Sequence, residues 1–177
     1  AAGQTITNFE KAFGETQPII RAMPNTPSAI GQGISVAVAN PHASDDHKQQ
    51  TTKLLEAIGM VEWMDDEDLL NAVTALSGSG PAYYFLIMEI MQEIGEELGL
   101  SPEVSRQLTL QTALGAAKIT INSYVHAAEL RRRVSSPGGT TERAIQAFEA
   151  GDLKTLFRKA MNSAVKRAAE MADELAN

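Results

Sequence analysis

Residues 134–142, Val-Ser-Ser-Pro-Gly-Gly-Thr-Thr-Glu, combine two glycines, a proline and four hydroxyl groups directly before a pattern that predicts a helix. Glycine has no Cβ, so main-chain N–H groups can converge around it. The first turn of a helix adds N–H donors without intrahelical partners and the positive end of the helix dipole. The segment therefore predicts a site for a carboxylate or a phosphate. The same residue types also form ordinary turns and helix caps, which is the alternative interpretation at this point.

Other polar groups give weaker chemical signals. Residues 65–68, Asp-Asp-Glu-Asp, could hold paired catalytic carboxylates, but acids before an apolar pair are also typical of the first turn of a helix. Residues 77–80, Ser-Gly-Ser-Gly, match neither a nucleophile elbow nor a dinucleotide-binding loop, and they predict a tight joint between helices whose hydroxyls can line a pocket. No metal site is predicted, because the histidines share neither a helix face nor a ligand spacing: His42, His47 and His126.

Composition excludes several classes of protein. The 177 residues are 44% hydrophobic and 21% charged, as in an ordinary globular protein, and the net charge of -7 opposes a nucleic-acid partner. The absence of cysteine excludes disulfides, thiolate metal sites and a cysteine nucleophile, and it fits a reducing compartment such as the cytoplasm. No apolar run has the length of a membrane span, and the opening residues, Ala-Ala-Gly-Gln, indicate an internal cut.

The first 64 residues alternate between strand and helix patterns. A helix is predicted over residues 6–13, and short strands over residues 18–22, 34–39 and 60–64. Ser44 is predicted to cap a further helix that stops before Gly59. Alternating strands and helices are typical of an α/β layer, yet three short strands make an incomplete sheet. We therefore expect residues 1–64 to be the remnant of a larger α/β domain.

Residues 65–177 are predicted to be helical throughout, with glycine and proline only at the breaks. Pro81 fits a first helical turn, Gly99 fits a position just past a helix end, and Ser101 with Pro102 forms a cap and first helical residue. The helices carry apolar residues around much of their circumference. Such helices need several neighbours, so we expect a bundle that packs against a second copy of the chain, with a wholly intramolecular bundle as the alternative.

Several motifs resemble the pyrroline-5-carboxylate reductase family. The stretch 130–149, with Ser-Pro-Gly-Gly-Thr-Thr at its centre, resembles that family's signature. Residues 23–27, Met-Pro-Asn-Thr-Pro, and residues 75–83, Ala-Leu-Ser-Gly-Ser-Gly-Pro-Ala-Tyr, are similar to it in the same order and spacing, as is the opening Ala-Ala-Gly. The resemblance covers essentially the whole chain.

The resemblance implies an enzyme that reduces 1-pyrroline-5-carboxylate to L-proline with NADPH or NADH, the last step of proline synthesis. It also implies the fold class: mainly α, with an all-helical dimerisation domain at residues 65–177, preceded by the C-terminal remnant of a Rossmann-like α/β domain. The Gly-rich strand-turn-helix that would hold the cofactor's pyrophosphate is not among these residues. The chain alone is therefore expected to be inactive, and the expected assembly is a homodimer or a larger ring.

The resemblance also implies residue roles. The loop matching Ser136, Gly139 and Thr140 would hold the substrate carboxylate, and Thr141 would lie beside the ring nitrogen as the catalytic candidate. Glu67 matches a position near the substrate.

Three residues are implied on the cofactor side. Asn25, together with Pro24, would lie near the nicotinamide, and Ala1 and Ala2 match part of the cofactor-facing edge. Arg133 lies beside the loop, but the resemblance gives it no firm role.

Two other functions remain open from the sequence. The chain could be a non-catalytic oligomerisation module that keeps a reductase-like helical core. It could also belong to another imine or hydroxyacid dehydrogenase with a helical dimer domain. A Gly-x-Gly-x-x-Gly motif after a strand upstream of residue 1 would favour the enzyme over the module.

Overall fold

The computed structural model describes residues 3–176, and these form two compact units. One unit contains the residues up to 82 together with the C-terminal residues from 158 onward, and the other contains residues 83–157. The first unit holds the strands, whereas the second is helical. The domain boundary that the sequence places between residues 64 and 65 stays a prediction.

The first unit is built on a mixed three-stranded sheet in the order β1-β2-β3, with β1 at Ile20–Met23, β2 at Gly33–Ala39 and β3 at Gly59–Trp63. The central strand β2 pairs antiparallel with β1 and parallel with β3. The sequence-based strands are confirmed, although β1 begins at Ile20 rather than at Pro18. Proline has no N–H to donate to a sheet, which fits its position before the strand.

Two predicted helices of this unit are confirmed, and so is the predicted Ser44 cap. Helix α1, Ile6–Phe13, begins after Thr5, whose side chain accepts a hydrogen bond from the Asn8 N–H, and ends at Gly14. Helix α2, Asp45–Glu56, begins with a capping box in which the Ser44 hydroxyl accepts from the His47 N–H. The imidazole Nδ1 of His47 accepts in return from the Ser44 N–H at 3.1 Å. These local side-chain bonds satisfy donors that a helix end leaves free.

The start of the β2–β3 pair has no room for side chains. Gly33 lies opposite Gly59 in the register, and a Cβ on Gly59 would come within 2.0 Å of the Gly33 carbonyl oxygen. Gly59 also has a φ of +147°, which L side chains rarely adopt. The two strands therefore begin where two main chains approach each other directly.

The core of the first unit packs the sheet against residues of two helices. Within the described residues, the buried members of this cluster are Ile6, Ile19, Val36, Val38, Leu70 and Val73. Phe9, Met23 and Met64 pack against this cluster. Because Leu70 and Val73 lie in α3, Leu70–Val73, the first turns of the helical region are anchored in the core of the α/β segment.

The helical region beyond α3 contains five longer elements. These are α4 at Gly80–Glu97, α5 at Pro102–Ile121, α6 at Ala127–Arg133, α7 at Thr140–Ala150 and α8 at Leu153–Ala176. The predicted breaks are confirmed. Pro81 lies in the first turn of α4, Gly99 follows its end, and the Ser101 hydroxyl caps α5 by accepting from the Val104 N–H.

Helices α4 and α5 approach closely at Gly95. A Cβ there would come within 2.2 Å of the Ser105 Oγ, and that hydroxyl, buried against α4, donates to the Gln92 carbonyl at 2.7 Å. A glycine on one helix and a small residue on the other thus let the two backbones pack tightly. The Ser105 hydroxyl is satisfied by a main-chain oxygen of the facing helix.

Apolar side chains cover much of the outer surface of α4 and α5. Along α4, Leu86, Ile90 and Ile94 follow one another at four-residue intervals and are 55%, 43% and 47% exposed. On α5, Leu110 and Leu114 are also exposed. A wholly intramolecular bundle would bury such residues, and this chain leaves them at its surface.

No helix within residues 3–176 is both long and apolar enough to cross a membrane.

Candidate active site

The predicted anion-binding loop connects α6 to α7. Helix α6 ends at Arg133, after which the Ser135 hydroxyl donates to the Arg131 carbonyl at 2.8 Å. The Gly139 N–H then donates to the Ser136 carbonyl at 2.9 Å, and Gly138 between them has a φ of +73°. A left-handed residue at this position lets the chain reverse direction into α7, which explains the need for glycine.

Helix α7 begins at Thr140 with Gly139 as its cap residue, and the cap makes no side-chain hydrogen bond. Its first-turn N–H groups therefore have neither an intrahelical partner nor a capping side chain at Gly139. Ser136, Thr140 and Thr141 are exposed, so their side chains are accessible to solvent, whereas the Gly139 N–H is already bonded to the Ser136 carbonyl. This arrangement can accept a carboxylate at a helix N-terminus, with hydroxyl donors beside it.

Glu142, in the first turn of α7, is a residue to which the sequence assigned no role. Its carboxylate oxygen accepts a hydrogen bond from the Gly138 N–H at 2.8 Å and so ties the first turn of α7 back to the loop. Glutamate at the third position of a helix is typical of a capping box. The spacing from Gly139 to Glu142 was therefore the signal that could have identified it.

The helices on both sides of the loop carry ion pairs, one between α6 and α7 and two within α6. Arg131 of α6 pairs with Glu149 of α7 at 2.8 Å, and Arg132 and Arg133 both pair with Glu129. The hydrogen bonds from Arg132, and next from Arg133, lower the pKa of Glu129 from 4.5 to about 2. The positive charges of residues 131–133 beside the loop are therefore partly neutralised by glutamates of the same chain.

Glu67 lies in the first unit, where it accepts two hydrogen bonds. One carboxylate oxygen accepts from the Ile6 N–H at 2.8 Å and from the Arg21 guanidinium at 2.6 Å. Arg21 is 9% exposed and Glu67 is 24% exposed, so the ion pair is largely shielded from water. Glu67 therefore joins α1, β1 and the turn before α3, and its predicted place near the substrate stays a prediction.

Asn25 lies in the same unit, in the loop after β1, and its amide is engaged by main-chain groups. The Oδ1 atom accepts from the Ile34 N–H at 3.0 Å, and the Nδ2 atom donates to the Ser77 carbonyl at 3.2 Å. The predicted contact of Asn25 with the nicotinamide stays a prediction. Ala1 and Ala2, the other predicted cofactor-side residues, lie outside the described residues.

The described part of the chain contains no group of three or more acidic or histidine side chains placed to hold a metal ion. Two histidines have local structural roles instead. His47 completes the capping box of α2, and the imidazole of His126 accepts from the Ala128 N–H at the start of α6.

The described residues form a short α/β segment followed by a mainly helical region, with the Ser-Pro-Gly-Gly-Thr-Thr loop directly before α7. Residues 67–171, which include this loop, match the family described as pyrroline-5-carboxylate reductase dimerisation. The chain belongs to the pyrroline-5-carboxylate reductase family.

Similar proteins agree with this assignment. The chain is 50% identical over 175 residues to a pyrroline-5-carboxylate reductase of Pseudomonas aeruginosa, covering 99% of the chain and 64% of that protein. A solved pyrroline-5-carboxylate reductase of Coxiella burnetii matches with a TM-score of 0.93 and 46% identity, over 97% of the chain and 64% of that structure. The Plasmodium falciparum pyrroline carboxylate reductase, solved with NADP bound, matches with a TM-score of 0.90 and 29% identity, over 97% of the chain and 67% of that structure. The chain spans 64% of the length of the Pseudomonas relative.

We predict that Glu67→Ala lowers the free energy of unfolding by about 3 kcal/mol, because it leaves the buried Arg21 guanidinium without its carboxylate. Urea denaturation measures this change. The double variant Arg21→Met, Glu67→Met removes both charges and should cost less than the single variant. A single variant as stable as the unmodified protein would contradict the structural role of the pair.

We further predict a pH effect at Glu129. Its pKa is depressed in the folded protein, so its ion pairs contribute fully above pH 4.5, and the contribution is lost as the pH falls toward 2. A carboxyl-carbon NMR titration should give a pKa of about 2, and added salt should move that value upward because the pair is exposed. A titration midpoint near 4.5 at low salt would rule out the pairing with Arg132 and Arg133.

Proposed function

We propose that the protein containing this chain reduces 1-pyrroline-5-carboxylate to L-proline with NADPH or NADH. The observation that carries the proposal is the family match over residues 67–171, which contains the loop and its helix N-terminus. Pyrroline-5-carboxylate has a carboxylate and a cyclic imine. The first turn of α7 offers main-chain donors to a carboxylate, and the exposed hydroxyls of the loop lie beside them.

In this proposal the loop holds the carboxylate through Ser136, Gly139 and Thr140, and Thr141 orients the ring nitrogen. The hydroxyl of Thr141 is exposed and belongs to the first turn of α7, so it can donate to or accept from a neighbouring nitrogen. Holding both ends of a small ring fixes which face it presents, and such orientation supplies much of the rate of a transfer reaction. The bound cofactor would supply the hydride.

The chain contains no Gly-x-Gly-x-x-Gly motif, so its own residues offer only part of a cofactor site. We therefore expect the isolated chain to be inactive and the protein at its full length to be active. Cofactor oxidation in the presence of pyrroline-5-carboxylate, followed by absorbance for both preparations, tests this directly. Turnover by the isolated chain would refute the dependence on a further nucleotide-binding part.

In the full-length protein, Thr141→Ala should lower kcat about 100-fold, because removing one positioned hydrogen-bonding group near the reacting atoms typically costs two or more orders of magnitude. Thr141→Ser keeps the hydroxyl and should retain most of the rate. Steady-state kinetics with both variants separate the hydroxyl from a general packing effect. An unchanged kcat in Thr141→Ala would remove this residue from the mechanism.

The homodimer is the second part of the proposal. The family name refers to dimerisation, and the apolar stripe of Leu86, Ile90 and Ile94 on α4 is exposed in the single chain. Burying such a stripe against a second copy would remove several large apolar side chains from water, each worth about 1.5–3 kcal/mol. Part of each active site is then expected to come from the partner copy.

The dimer proposal predicts that Ile90→Glu weakens association about 100-fold, because it forces a charge into an apolar contact. Sedimentation equilibrium would follow the shift from twice the mass of the 19.0 kDa chain toward that mass. Ile30→Glu is the matched control, since Ile30 is 77% exposed but lies in the turn before β2 rather than on α4. A dimer equally stable in both variants would place the interface elsewhere.

The exposed helix faces also favour a second candidate function, a non-catalytic oligomerisation module. Such a module would associate in the sedimentation experiment but would show no cofactor oxidation at full length. The two measurements together therefore distinguish the reductase from the module.

A further inference from the structure

The amide of Asn25 joins two segments that are far apart in the sequence. It bridges the Ile34 N–H, at the start of β2, and the Ser77 carbonyl, in the helical joint before α4, at 3.0 and 3.2 Å. Both contacts lie in the first unit and involve main-chain groups. One side chain therefore fixes the separation between the loop after β1 and the joint.

Ser77 needs this donor because of Pro81. In a regular α-helix the Ser77 carbonyl would accept from the N–H of residue 81, four positions later, but proline has no N–H. The chain forms a π-helical turn, Thr74–Gly78, in which the Ser79 N–H donates to the Thr74 carbonyl at 2.8 Å. The Asn25 amide supplies a hydrogen bond that the helix itself cannot give to Ser77.

The side chain of Met23 also lies close to this joint. The position of a Cβ on Gly78 lies 3.4 Å from the terminal methyl group of Met23, which is the last residue of β1. Met23 and Asn25 flank Pro24, so residues on both sides of that proline lie close to the joint, and Asn25 is hydrogen-bonded to it. A change at Asn25 should therefore move the backbone of this loop relative to the joint.

We propose that Asn25 is a positioning residue, which acts through the Pro24 backbone and the Ser77–Gly78 joint rather than by direct contact with a cofactor. The inference rests on the proposed function and on the expectation, taken from the family resemblance, that Pro24 and Asn25 lie beside the nicotinamide. The Asn25 oxygen is bonded to Ile34, and the nitrogen is bonded to Ser77. The effect on the cofactor is thus indirect: the amide holds the loop in the conformation that binds it.

The test uses three variants of the full-length protein: Asn25→Ala, Pro81→Ala and the double variant. Asn25→Ala leaves the Ser77 carbonyl without its donor and frees the loop, so it should lower Tm and raise KM for NADPH about tenfold with a smaller change in kcat. In the double variant the N–H of residue 81 can satisfy Ser77, but the loop remains free. Tm should then recover while KM stays high.

Asn122→Ala is the matched control, because the Asn122 amide also donates to a main-chain carbonyl, that of Lys118, at the end of α5. Its KM for NADPH should not change. The proposal is overturned if Asn25→Ala leaves KM unchanged, if KM recovers together with Tm in the double variant, or if Asn122→Ala raises KM equally. If the wild-type protein shows no reductase turnover, the proposed function and the KM effect are both refuted. Recovery of Tm in the double variant would still report the hydrogen bond between Asn25 and Ser77.

Discussion

The ion pair between Arg21 and Glu67 is the interaction on which the first unit depends. A guanidinium that is 9% exposed in the middle of a strand needs an opposite charge, and Glu67 provides it 46 positions later in the chain. The same carboxylate accepts from the start of α1. The pair thus fixes the turn before α3 to the sheet, close to the point where Leu70 and Val73 enter the core.

The loop between α6 and α7 is held in a different way. No large core supports it, and its residues are largely exposed. Its shape comes from short-range bonds: a glycine with positive φ, the return of Glu142 to Gly138, and the pairing of Arg131 with Glu149 across the two helices. These bonds occupy the N–H groups of Gly138 and Gly139, and the donors left for a ligand are the first-turn N–H groups of α7 and the exposed hydroxyls.

The sequence predicted the features whose causes are local. The N-termini of three helices, α1, α2 and α5, were predictable because a hydroxyl side chain precedes each of them. The hydroxyls of Thr5, Ser44 and Ser101 accept hydrogen bonds from the N–H groups three residues later. The turn into α7 was predictable for the same reason, because the glycines that make it stand directly before the helix. The partners of Glu67 and Asn25 were not, because Arg21 and Ser77 lie 46 and 52 positions away and no spacing rule connects them. The π-helical turn was also missed, since only the conflict between Pro81 and a regular helix indicates it.

The meeting of Gly33 and Gly59 limits how the sequence of this fold can change. A Cβ on Gly59 would overlap the opposite carbonyl, and one on Gly33 would come within 2.0 Å of the Ser28 Oγ. Substitution of either glycine must displace main chain or a neighbouring turn, so a second mutation on the facing strand cannot easily compensate. At the Gly33–Gly59 pair, where β2 and β3 begin, backbone geometry therefore restricts which amino acids evolution can introduce. This restriction is independent of any role in catalysis.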